Sequence, residues 1–269
     1  MKPEKRQRKK ERARRPGWFA KMLTLLPASC ALLYPLYLAA QLDLVQDTYE
    51  SPLLPEAFNG LTAVYISDIH YGSLLKRERV EELARRVNAL SPDLILMGGD
   101  YGEDSQGALE FFEVLPPLTA KYAVLAVVGN HDRTVPESNL QKLQDVMRKH
   151  KIIPLVNDVW KLEKEGASMA FAGVDDVFNG YPDLLPITQD MRVFYQLALC
   201  GHTHGGQVAL LGHSIHSSAD TGDRYRSGWY KENGIDIMVS NGVGTSGLPV
   251  RLGARPQMHL ITFQKNTKK

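Results

Sequence analysis

Residues 122–132 read YAVLAVVGNHD: seven apolar or aromatic positions, then Gly129-Asn130-His131-Asp132. A run of that length, Val-rich and closed by glycine, predicts a buried strand. The cluster behind it sets an amide, an imidazole and a carboxylate at the strand's carboxyl end. The pattern recurs outward from here. Residues 62–67 (TAVYIS) precede Asp68-Ile-His70, residues 93–97 (DLILM) precede Gly99-Asp100, and residues 197–200 precede Gly201-His202-Thr203-His204. Between the runs lie helical patterns. Residues 76–90 place Val80, Leu83, Ala84, Val87 and Leu90 on one face, and Ser91-Pro92 stops them. Residues 107–115 form a second helix ended by Pro116-Pro117. Residues 134–137 (TVPE) resemble a capping box opening a third, which runs to about His150. The first half is therefore β-α-β-α-β, an α/β arrangement with helices outside a sheet. Further short apolar runs at 152–156, 169–174, 208–211 and 237–240 make the second half strand-rich.

In open α/β sheets ligands gather beyond the carboxyl ends of strands. Four polar clusters at four such ends can share one cleft. Carboxylate oxygen, imidazole nitrogen and amide oxygen together suit Mn, Fe, Zn or a similar divalent ion. Asp100 has two oxygens and could bridge two ions about 3.5–4 Å apart, the arrangement that stabilises attacking and leaving oxygens at phosphorus and acidifies water. Each pattern alone reads as a cap or turn. Their order and company point to a metal site. The glycines fit strand-end turns that need positive φ or close backbone approach.

The chain has 269 residues, 43% hydrophobic and 23% charged, which excludes a disordered or low-complexity protein. Two cysteines, Cys30 and Cys200, exclude a disulfide framework. Residues 2–15 carry net +7 within a total of +2, so the remaining body is mildly acidic at −5. That balance lacks the basic stripe of a nucleic-acid-binding domain. Residues 22–42 hold no charge, long enough to cross a bilayer. Pro27 and Pro35 are tolerated in a membrane helix, and Trp18, Tyr34 and Tyr37 suit its interfaces. The basic block orients the N-terminus inward and the body outward. A buried core helix is one rival reading. A cleaved signal peptide is another, although Leu38-Ala39-Ala40 is a poor cleavage match and Arg14-Arg15 fits a twin-arginine signal loosely. The expected organisation is a basic tail at 1–17, a transmembrane anchor at 18–42, a tether and first strand at 43–60, and the main domain at 61–269.

The four clusters, with Gly205-Gly206-Gln207 and the stretch from Asn241 to Arg251, resemble the calcineurin-like metallophosphoesterases, in particular a bacterial membrane-associated branch. The resemblance covers roughly residues 42–263. It implies a two-sheet β-sandwich core flanked by helices, and a dinuclear centre. By that resemblance Asp68, His70 and His204 hold one ion, Asp100 bridges, and Asn130 and His202 hold the other. His131 faces the phosphate and protonates the leaving oxygen, and Asp132 orients His131. Arg251, in a glycine-rich loop similar to the family's site rim, is a candidate phosphate ligand, with a surface salt bridge as the alternative.

One feature departs from the family. Its members have a further metal-binding histidine between the Gly129–Asp132 and Gly201–His204 clusters, in a pattern like L-x-H-x-P. Between Asp132 and Gly201 this chain has only His150, on an amphipathic helix, and residues 175–195 are too few for the helix, strand and helix expected there. The second ion is then held partly by water, or His213 or His216 substitutes, or the chain is a shortened, inactive variant. His259 in the last strand reads as structural, and Tyr225, Trp229 and Tyr230 read as packing rather than cleft lining. The expected function is metal-dependent hydrolysis of a phosphodiester or pyrophosphate, possessing a membrane or envelope-linked substrate. The rival is a catalytically weak or inactive tethered binding protein. A nuclease ranks below both.

Overall fold

The computed structural model describes residues 29–30, 33–72, 75–134, 138–184, 196–215, 218–219 and 221–266. The basic tail, most of the 18–42 segment, residues 135–137 of the expected capping box and His216 lie outside the described residues. Residues 33–40 are helical, and among the described residues no helix is long and apolar enough to cross a membrane.

The central sheet has six strands: β1 (Asp43–Ser51), β2 (Thr62–Ile66), β3 (Leu94–Met97), β4 (Ala123–Ala126), β5 (Ile153–Pro154) and, from the C-terminus, β13 (Gln257–Lys265). Their order is β1-β13-β2-β3-β4-β5, parallel throughout except where β13 meets β2. Helices α1 (Arg77–Ala89), α2 (Ser105–Val114) and α3 (Ser138–Lys149) cover one face. Alternation along the strands explains the layering. Val64, Ile66, Ile95, Met97, Val124 and Ala126 pack with Val80, Leu83 and Val87 of α1, Phe111 and Phe112 of α2, and Leu143 and Met147 of α3. The intervening Ala63, Tyr65, Leu94 and Leu125 face the other way. With both faces buried, these strands read as continuous apolar runs, which is why the sequence discloses them.

The second face is covered by strands. One unit is the antiparallel hairpin β6 (Asp158–Lys164) and β7 (Ala167–Gly173). The other is β8 (Leu197–Cys200), β11 (Gly228–Glu232) and β12 (Ile235–Val239), in the order β11-β12-β8. Leu162, Trp160, Phe171, Leu199 and Met238 from these units share one core with the central sheet. The body is thus a mixed α/β fold with sheet packed on sheet. Among the described residues the helices flank only one side of it. Among the described residues no strand joins β7 to β8. A short hairpin, β9 (Ala209–Leu210) and β10 (His213–Ser214), follows the last polar cluster.

Helix α2 and strands β6 and β11 differ from the sequence reading. Helix α2 begins at Ser105 rather than Gly107, because Asp104 caps it, its carboxylate accepting the Gly107 N–H at 2.8 Å. Strand β6 is absent from that reading, since Asp158, Lys161, Glu163 and Lys164 interrupt its apolar positions Val159, Trp160 and Leu162.

Candidate metal centre

The loops after β2, β3, β4 and β8 meet at one edge of the central sheet. The ligand atoms of Asp68, His70 and His204 lie within 4.8 Å of one another, and so do those of His70, Asp100 and His131. The Nε2 atoms of His70 and His204 are 3.0 Å apart, and His204 Nε2 is 3.9 Å from Asp68 Oδ1. Two imidazole nitrogens bound to one divalent ion at about 2.0–2.1 Å sit roughly that far apart. Asp68, His70, Asp100 and His204 are all buried. Asp68 Oδ2 and His70 Nδ1 are buried with no hydrogen-bond partner among the described residues. Buried orphans of this kind are rare and call for a ligand. The donor set fits a divalent cation.

On the other side, His202 Nδ1 lies 3.1 Å from Asn130 Oδ1, while Nε2 is 3.3 Å from the Ser218 carbonyl. With Nε2–H donated to that carbonyl, Nδ1 presents a lone pair to an amide oxygen as oriented in the structure. Two facing acceptors favour a shared cation. The structure therefore gathers all six sequence-derived ligand candidates, Asp68, His70, Asp100, Asn130, His202 and His204, into one cluster.

The backbone records the same demand. Asp68 (φ 52°), His70 (50°), Asp100 (53°), His202 (71°) and His204 (52°) all adopt the left-handed region. Each such residue costs on the order of 1–3 kcal/mol, and strain of this kind gathers at functional sites. Gly129 and Gly201 allow the loops to close: a Cβ on Gly129 would strike the Asp100 carboxylate, and one on Gly201 the Asp68 carboxylate.

Burial first, and then the neighbouring Asp100, push the Asp68 carboxyl up to about 6. Burial and Asp132 do the same to Asp100, also to about 6. Burial, His131 and Arg251 hold His70 down at about 3, and burial with Arg251 keeps His204 well below its usual value. The imidazoles are thus neutral, the form that binds metal.

His131 is positioned differently from the sequence reading. Its Nδ1 is 2.8 Å from the Glu103 carbonyl, so Nδ1 carries the proton and Nε2 is the atom turned to chemistry. Asp132 does not orient that ring. Its carboxylate is buried and accepts the backbone N–H groups of Asp100 (2.8 Å), Tyr101 (2.9 Å) and Gly129 (2.9 Å). It ties the loop after β3 to the loop after β4. A backbone carbonyl such as Glu103's has no signature in sequence, which is why its role was missed.

Arg251 also requires correction. It is wholly buried, not on a rim. Its guanidinium donates to the carbonyls of His204, Asn241 and Gly244 and lies 2.9 Å from His204 Nδ1. Donors spent on backbone acceptors are not offered to a phosphate. His150 packs near Phe112, its ring centroid 6.3 Å away, and His213 is exposed beside Asp223; neither reaches the cluster. His259 bonds Asp47 and Ser240, the structural role expected. Trp229 stacks on Tyr49, and Tyr225 packs edge-on against Tyr230. The sequence reading gives the segment at 174–184 no part in the site, but it packs against it. The buried Arg133–Asp175 ion pair (3.1 Å) holds it, Asn179 donates to the Asn130 carbonyl, and Phe178 stacks on His202 with centroids 5.4 Å apart.

A sheet-on-sheet α/β body whose strand-end loops converge acidic and imidazole ligands is the architecture of a metal-dependent hydrolase. The sequence model of the family described as calcineurin-like phosphoesterase matches residues 61–245, and the chain belongs to that family. It is similar to the Bacillus subtilis metallophosphoesterase YkuE, 27% identical over 83% of this chain and 86% of that protein. It is 27% identical to the Escherichia coli phosphodiesterase YaeI, over 74% of this chain and 80% of that one. A Bos taurus transmembrane protein with a metallophosphoesterase domain matches 81% of the chain, again at 27% identity, over 56% of its own length.

Proposed function

We propose that the protein hydrolyses a phosphodiester or pyrophosphate bond of a membrane or envelope-linked substrate, using two divalent cations. The observation that carries this is the convergence of Asp68, His70, Asp100, Asn130, His202 and His204 with acceptor atoms left unpartnered. The similarity to a protein named a phosphodiesterase supports the bond type. The uncharged run at 22–42 behind a basic block supports the membrane setting, with the body on the outer side.

Asp68, His70 and His204 would hold the first cation, Asp100 would touch both, and Asn130 and His202 would hold the second. Bound there, the cations would neutralise phosphoryl oxygens and acidify water. His131, its Nδ1–H fixed on the Glu103 carbonyl, would give the leaving oxygen a second proton carried at Nε2 and return to the neutral Nδ1–H form. Arg251, by its charge and burial, keeps His204 neutral and in place.

Turnover of a bis-aryl phosphodiester by the full chain with Mn²⁺, abolished in Asp100→Ala, is the expected result. No turnover with any divalent ion would favour a second reading, a weak or inactive tethered binding protein. That reading draws on the second side of the cluster, where among the described residues Asn130 and His202 join Asp100 and where Phe178 covers the His202 ring. It also draws on the expectation that the family's further histidine segment is absent between Asp132 and Gly201. Metal analysis after dialysis is expected to find one tightly held ion per chain; two would count against a defective second site. Protection of the body from protease in spheroplasts would overturn its outward placement.

A further inference from the structure

We propose that the β9–β10 hairpin is a second membrane contact, which seats the metal cleft against the bilayer surface. Residues 209–215 read ALLGHSI and hold no lysine, arginine, aspartate or glutamate. The hairpin pairs Leu210 with His213 and Ala209 with Ser214, leaving a two-residue turn of Leu211 and Gly212. Both turn residues have positive φ, 50° and 87°. Such turns favour Asn-Gly, because asparagine tolerates the left-handed conformation and is content in water. Leucine there is strained and wet at once: Leu211 is 102% exposed, and Leu210 and Ile215 flank it at 52% and 70%. Turn propensity does not account for this residue, whereas contact with an apolar phase does.

The surroundings select that phase. Ala209 N–H donates to the Leu252 carbonyl, and the Gln207 side chain donates to the carbonyls of Ser246 and Leu248. Arg251 N–H, one residue from Leu252, donates to the Pro35 carbonyl. The hairpin, the loop at 245–252 and the helix at 33–40 are therefore direct neighbours. The loop contributes exposed Leu248, and the helix contributes exposed Leu33, Tyr34 and Tyr37. The chain preceding that helix is the remainder of the uncharged run, with the basic block beyond it. Exposed apolar side chains thus stand on three adjoining segments that lead from the hairpin to the segment read as the anchor, and the inference rests on that reading. Because the hairpin follows His204 by only five residues, the contact would favour substrates presented from a lipid surface.

The test uses the native full chain in phosphatidylcholine–phosphatidylglycerol vesicles containing a phospholipid with a shallow photoactivatable diazirine. Adducts are mapped to residues after illumination. Adducts at 209–212, several-fold above those on β6, together with adducts at 22–32, are expected. Adducts at 22–32 without any at the hairpin would overturn the inference and leave the anchor standing. Adducts at neither would overturn both. A second copy covering the hairpin would leave it without adducts and would equally overturn the proposal.

Discussion

Replacing Asp132 separates two roles that look alike in sequence. If its carboxylate served to orient His131, Asp132→Ala would slow turnover and leave stability alone. The structure gives the carboxylate three backbone N–H donors, from Asp100, Tyr101 and Gly129. Alanine leaves all three without their acceptor, at about 1–3 kcal/mol each. Water entering the vacated space offsets part of that, so a loss near the low end, about 3–5 kcal/mol, is expected. For a domain of this size one kcal/mol moves Tm by roughly 2–4 °C, which predicts a fall of about 6–20 °C. Asp132→Asn should behave differently. It keeps one oxygen for the N–H groups and removes a charge whose burial pushes the carboxyl up to about 7. Its loss should stay within about 1–2 kcal/mol. Thermal unfolding of the full chain followed by circular dichroism in EDTA reads both variants without metal. Asp132→Ala unfolding within about 2 °C of the unmodified chain, with turnover alone reduced, would refute the reasoning.

Three further outcomes follow from the same geometry. Gly201→Ala drives a Cβ into the Asp68 carboxylate, and calorimetric titration with Mn²⁺ should show binding weakened about 10–100-fold; unchanged affinity would mean Asp68 is not a ligand. His131→Ala should lower kcat by about 10²–10⁴ while metal content stays constant, since its ring is assigned to proton transfer rather than to holding the cation. Asp68 and Asp100, both pushed up to about 6, hold protons at pH 5.5 that a cation must expel, whereas at pH 8 they are ionised. The neutral His70 and His204 release none at either pH. Mn²⁺ affinity should therefore rise between pH 5.5 and 8, with proton release by calorimetry in two buffers large at the lower pH and near zero at the higher; equal release at both would contradict this.

The legible parts of the molecule are those whose determinants are side chains. Strands β2, β3 and β4 announce themselves because both faces are buried, and α1 because Val80, Leu83, Ala84 and Val87 form one stripe. The ligand candidates are legible because imidazole, amide and carboxylate abut at strand ends. What stays hidden is settled by backbone partners. Arg251 reads as an exposed phosphate clamp until its carbonyl acceptors are seen, and Asp132 as a histidine partner until its N–H donors are. Glu103 contributes a carbonyl, which any residue carries.

The cluster without a cation is a collection of unfavourable terms held in place by the fold. Five left-handed ligand residues, unpartnered Asp68 Oδ2 and His70 Nδ1, and carboxyls driven toward protonation all raise its energy. A divalent ion would lower each of the last two at once, because it supplies both the missing partner and the missing charge. The two sides differ in how much they have to gain. Asp68, His70 and His204 are buried, so their attraction to a cation is little screened. His202 and Asn130 are half-buried, and the His202 ring is also held from outside by the Ser218 carbonyl. The first position is therefore the one the fold is built to fill. The second depends on Asp100, whose Oδ1 already accepts the His131 N–H at 2.9 Å, and so on the same loop that presents the proton donor. Weakness at the second position would thus tell on catalysis before it told on the stability of the body.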